Sequence, residues 1–142
     1  MASEIFKSII AERDPHGEWR VESAGTWALE GYPASEKAKT VLKSRGMSAD
    51  EHISRGVTLE MLQSFDLILT MEEGHKEALR VEFPQLADRI FLLSEMVDQR
   101  HNIPDPINRS LAEFEGTADL LESLLRNGFT RIKRIAEGNA LK

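Results

Sequence analysis

The chain has 142 residues, 41% of them hydrophobic and 30% charged, with a formal net charge of −6 and no cysteine. This size and balance predict a single soluble domain over residues 1–142 with one sizeable core, and exclude a disordered or fibrous chain. The negative charge argues against nucleic acid as a partner, because that affinity is dominated by cations laid against phosphates. The absence of cysteine removes disulfides, thiolate metal sites and any cysteine nucleophile from these residues together.

No apolar run approaches the ~20 residues of a membrane helix, so no membrane contact is expected. The opening "MASEIFKSII" carries Glu4 and Lys7 and has no small-residue cleavage site after an apolar core, so it does not read as a signal peptide and the cytoplasm is the expected compartment. In chain order, Ile5, Phe6, Ile9 and Ile10 share one helical face from Ala2 to about Glu12, and Asp14-Pro15 ends it. "WRVESAG" alternates Trp19 and Val21 with polar neighbours and predicts a strand running into a turn at Gly25. Ser35 opens a helix that stops at Gly46, and Thr58 caps a shorter one.

"FDLILT" is a short, nearly continuous apolar run that suits a strand covered on both faces, although periodicity alone also fits a buried helix segment. A helix from Glu72 to about Glu82 follows and is closed by Pro84, and "RIFLL" has the same buried-strand character. After a proline-rich loop, Leu111, Phe114, Ala118, Leu121, Leu124 and Leu125 trace a long amphipathic helix to Gly128. Phe129, Ile132 and Ile135 mark one more helix or its continuation. The basic cluster Arg131 to Arg134 lies near the end of this last apolar-periodic segment, where cations favour a helix dipole. Strands alternating with helices imply an α/β fold, a three-layer α/β/α arrangement with a short parallel sheet flanked by helices. In such sheets ligands bind beyond the carboxyl ends of the strands, so "SAGTWALEGYP", "TMEEGH" and "NIPDPINRS" should share one face.

In order, "SAGTWA", "FDLILTMEEGH" and "IPDPINRS" resemble the low-molecular-weight protein-tyrosine phosphatases, whose superfamily also contains protein-arginine phosphatases and thioredoxin-coupled arsenate reductases. The resemblance covers essentially the whole chain. Family members begin with a strand and phosphate loop reading roughly V-x-F-V-C-x-G-N-x-C-R-S-P-M-A-E. Met1 and Ala2 coincide with the M-A of that signature, so the first strand, the nucleophilic cysteine and the phosphate-clamping arginine are expected upstream of this chain, which reads as an N-terminally truncated domain.

In the family a thiolate attacks phosphorus, backbone N–H groups at a helix N-terminus cradle the phosphate, and a carboxylic acid protonates the leaving oxygen. The resemblance implies that Asp105 is that general acid and, after the first step, the base that activates water. Alone, Asp-Pro is a common turn signal. Pro104 and Pro106 fix their own φ, and Pro106 also pushes Asp105 toward extended conformations, which aims its carboxylate through the backbone.

Trp27 and Tyr32 either line a phenol-sized substrate pocket or pack on a nearby helix, while Ser23 and Thr26 fix a turn. Where many relatives carry an aromatic after Asp-Pro, this chain has Ile107 and Asn108. The four histidines show no metal-ligand spacing and there is no nucleotide fingerprint, so neither metal nor other cofactor is implied.

The implied function is that of a protein phosphatase acting through a cysteinyl-phosphate on a phosphoprotein or small aryl phosphate. The 142 residues by themselves are expected to be catalytically incompetent, the alternatives being a non-enzymatic binding or regulatory module and a protein-arginine phosphatase relative. With a family sheet order of 2-1-3-4 and the first strand absent, two inner edges would lack ladder partners, and a homodimer through the exposed sheet edge is the expected repair.

Overall fold

A computed structural model of the chain describes residues 1–24, 35–48 and 56–142. It divides into two compact units, one of residues 1–56 with 105–123, the other of residues 57–104 with 124–142.

The first unit opens with α1, Ala2–Arg13, which buries Ile5, Phe6 and Ile9 as their spacing requires. It ends at Asp14, whose amide donates to the Ile10 carbonyl at 2.8 Å. Asp14 also accepts the indole N–H of Trp19 at 2.8 Å, and the Trp19 ring packs edge-on against Phe6 with centroids 5.5 Å apart. Gly17 lies so close beneath this arrangement that a Cβ there would sit 2.8 Å from Trp19 Nε1.

Helix α2, Glu36–Ser44, is capped by the Ser35 hydroxyl, buries Val41 and Leu42, and ends before Gly46 at φ 77, a conformation glycine adopts without strain. Arg45 then reaches the first-unit part of the long helix, donating to Asp119 at 2.7 Å and Glu122 at 3.4 Å.

The second unit holds the sheet. Helix α3, Leu59–Gln63, is capped by the Thr58 hydroxyl. Strand β1, Ile68–Thr70, pairs in parallel with β2, Ile90–Leu92, in the register Ile68 to Ile90, Leu69 to Phe91 and Thr70 to Leu92. Between them run α4, Glu73–Glu82, and a 3₁₀ segment, Pro84–Arg89, the crossover that parallel strands require. Leu62, Leu79, Phe83, Leu86 and Ile90 form one buried cluster, with Ile68 packed against it. A second 3₁₀ segment, Leu93–Val97, follows β2.

Helix α5, Leu111–Asn127, has residues in both units, and α6, Phe129–Ala140, completes the second. Gly128 separates them because a Cβ there would lie 2.7 Å from Met96 Cβ and 2.9 Å from the Leu124 carbonyl.

Both apolar runs are strands, as their brevity and their flanking helices favour, and the fold is α/β, with helices and a small parallel sheet. Two readings differ. Residues 19–24 form no strand, because alternation fixes which side chains face inward while a strand also needs a neighbour's ladder. The break at Gly128 places Arg131 near the start of α6 rather than at a helix end. Its charge is met by Asp98 at 2.6 Å and the Glu95 carbonyl at 2.8 Å instead of by a helix dipole. Among the described residues no helix is long and apolar enough to cross a membrane.

Candidate active site

Asp105 leaves the second unit's last anchored residues and opens the return of the chain into the first. Its side chain is exposed, and its Oδ1 accepts the backbone N–H of Ile107 at 3.0 Å, bridging over Pro106. Such a side-chain turn holds one carboxylate oxygen against the loop. Oδ2 has no partner among the described residues.

The next turn is closed by the Arg109 amide donating to the Pro106 carbonyl at 2.9 Å, with Asn108 at φ 63. Asparagine tolerates that left-handed conformation better than most residues. Lys37 of α2 donates from Nζ to the Arg109 carbonyl. Ser110 then caps α5, accepting the Glu113 amide at 3.2 Å. The acid is thus followed by two tight turns and a capped helix.

Upstream, the loop is fastened residue by residue. The Gln99 amide donates to the Ser94 carbonyl at 3.0 Å. The Ser94 hydroxyl, 1% exposed, accepts the His101 amide at 3.1 Å and donates to the His101 carbonyl at 3.0 Å. Arg100 and Glu73 form a two-pronged ion pair, with Nε to Oε2 at 3.1 Å. The Arg100 guanidinium holds the Glu73 carboxyl below its usual range, and Glu73 in turn raises Arg100. Asn102 Oδ1 accepts the Glu73 amide at 2.7 Å, and the Ile103 amide donates to the Met71 carbonyl at 2.8 Å.

At the start of α1, Glu4 Oε2 lies 3.3 Å from the Met1 nitrogen and accepts the Ser3 hydroxyl at 2.9 Å. A carboxylate therefore already sits at the helix end that the resemblance assigns to phosphate. Trp27 and Tyr32 lie outside the described residues, as does Thr26. His75 is exposed in the first turn of α4. Among the described residues no cluster of three or more potential ligands is placed to hold a metal.

Sequence reading singled out Asp105 and its prolines but missed Ser94, Asn102 and Lys37, which fasten the loop on either side. Their partners are 7, 29 and 72 positions away, beyond the reach of local pattern.

A parallel β-α-β unit whose second strand leads towards a loop with an exposed carboxylate defines an α/β protein. The sequence profile of the "Low molecular weight phosphotyrosine protein phosphatase" family matches residues 1–137, and the chain belongs to that family.

It is 34% identical over 135 residues to the protein-arginine-phosphatase of Bacillus subtilis (strain 168), covering 94% of this chain and 88% of that protein. It is 35% identical over 125 residues to the low molecular weight protein-tyrosine-phosphatase Wzb of Escherichia coli (strain K12), covering 86% and 84%. The crystal structure of the low molecular weight protein tyrosine phosphatase from T. tengcongensis superposes with a TM-score of 0.86 at 32% identity, covering 92% of this chain and 88% of that one.

Proposed function

We propose that the chain is a protein-phosphatase domain over residues 1–142, with Asp105 as general acid and then base. The observation that carries this reading is the asymmetry of the Asp105 carboxylate, with Oδ1 bound to the Ile107 amide and Oδ2 without a partner among the described residues. In the reaction implied by the family, Asp105 gives its proton to the leaving oxygen as the P–O bond breaks. It then takes a proton from the water that attacks the phosphoenzyme. Neither step can begin without a nucleophile, and these residues include no cysteine, so the 142-residue chain by itself does not turn over a phosphomonoester.

The substrate class is a phosphoprotein or an aryl phosphate. Relatives named as arginine and as tyrosine phosphatases both support phosphoprotein, and Ile107, 59% exposed beside the acid, offers an aliphatic wall. Trp27 and Tyr32 are proposed as further substrate contacts, and the cytoplasm as the compartment. No cofactor is required. A homodimer through the exposed sheet edge is proposed on the general ground that an unpaired strand edge invites a partner. A compact monomer in sedimentation at micromolar concentration would refute that association.

Hydrolysis of p-nitrophenyl phosphate tests the main reading. The chain as it stands gives no turnover above solvent background. A version extended upstream by the family's phosphate loop turns over, and Asp105→Asn lowers its kcat about 10²–10⁴-fold. Substantial turnover by the unextended chain refutes the assignment.

A further inference from the structure

We infer that Asn102 is a positioning residue for Asp105, fixing the point from which the acid loop springs by capping a helix remote in sequence. The inference rests on the reading of Asp105 as the acid/base.

Helix α4 lacks a cap of its own, since Glu72 at the N-cap position makes no side-chain hydrogen bond. Asn102 supplies the missing acceptor from 29 residues away, taking the Glu73 amide at 2.7 Å. The adjacent Ile103 amide is held on the Met71 carbonyl at 2.8 Å, and the Ile103 side chain is 3% exposed. Two consecutive loop residues are therefore tied to Met71 and Glu73, which flank the turn from β1 into α4. Arg100 clamps the same Glu73 through its side chain, so Glu73 is gripped twice by one loop.

Little freedom separates this anchor from the carboxylate. Ile103 precedes a proline and is restricted to extended conformations, Pro104 has its φ fixed, and Asp105 precedes a second proline. A displacement at Asn102 is passed along this stiff path instead of being absorbed. Asn102 itself is exposed, and the contact it makes is a cap rather than a place in the core. Its removal should loosen the loop more than the fold.

The test is amide hydrogen exchange by NMR on the full 142-residue chain, comparing Asn102→Ala and Asn102→Asp with the parent. Asn102→Ala should accelerate exchange at Glu73 and Ile103 about fivefold, the factor that accompanies a typical lost cap. It should also move the Asp105 Cα and Ile107 amide resonances, while exchange at Leu92 in β2 stays unchanged. Asn102→Asp keeps the acceptor and should restore both loop readouts. Unchanged loop amides in Asn102→Ala, Leu92 accelerating by the same factor, or no rescue by Asn102→Asp would each overturn the inference. None of these readouts involves phosphoryl transfer, so an Asp105 without catalytic role leaves them standing and shows itself only in the aryl phosphate assay.

Discussion

Removing the Glu95 carboxylate should be among the more damaging single changes outside the apolar core. Lys76 of α4 is 6% exposed, and its ammonium lies 2.5 Å from Glu95 Oε1. The same oxygen accepts the Leu92 amide at 2.9 Å, so one carboxylate joins α4 to the end of β2. Burial pushes the Glu95 carboxyl up, but the Lys76 ammonium and the Leu92 amide outweigh it and leave the group below its usual 4.5.

Glu95→Ala strands a buried cation and a backbone donor together. Breaking a buried pair in this way costs about 3–5 kcal/mol. Glu95 keeps 27% of its side chain in water, which places the loss near the lower end, about 3 kcal/mol. With a urea m-value near ~2 kcal/mol/M, the denaturation midpoint at pH 7 should fall by about 1.5 M. Glu95→Gln retains an acceptor for Leu92 and should lose about half as much. The double variant Lys76→Met/Glu95→Gln should recover most of the loss, because no buried charge is left unpaired.

The depressed pKa adds a pH signature. The pair's contribution is fully present above about pH 4.5 and is lost as pH falls through the folded value. Glu95→Gln should therefore flatten the acid limb of the stability profile. A midpoint shift below about 0.5 M for Glu95→Ala would refute the reasoning.

Gly128→Ala forces a methyl to within 2.7 Å of Met96 Cβ and should cost about 1–3 kcal/mol by thermal unfolding, against the gain alanine brings to an open helix end. Gly17→Ala should break the Trp19–Asp14 hydrogen bond and shift Trp19 emission, read in a Trp27→Phe background. Leu42→Ala, at a fully buried site in the first unit, should lose about 2–5 kcal/mol in urea denaturation.

Helix ends were legible because their chemistry is local. Ser35 and Thr58 each cap the helix they precede, and Gly46 takes the left-handed conformation just beyond α2. The strands were legible as apolar runs, and their parallel pairing followed from the helix between them. The 3₁₀ segments at Pro84–Arg89 and Leu93–Val97 were not, because each is held by distant partners. Arg89 donates to the Phe65 carbonyl at 3.0 Å, and Glu95 is bound by Lys76. The role of Arg131 was misjudged for a related reason. Gly128 was read as a helix end, but α6 runs on to Ala140, and Asp98, the partner of Arg131, lies 33 positions away and leaves no mark in the local pattern.

Local and distant contacts divide in the same way in the loop of Asp105. Pro104, Asp105 and Pro106 stand together in sequence, so the stiffness of the acid is local and could be read directly. Its origin and exit are fixed by contacts that span the chain: Asn102 with Glu73, Ser94 with His101, and Lys37 with Arg109. All of these partners lie within the 142 residues, and none belongs to the stretch expected to hold the phosphate. The contacts that fasten the Asp105 loop therefore come from this chain's own residues. On the proposed reading of Asp105 as general acid, its carboxylate is preorganised by its own loop, and substrate binding has only to bring the leaving oxygen to it.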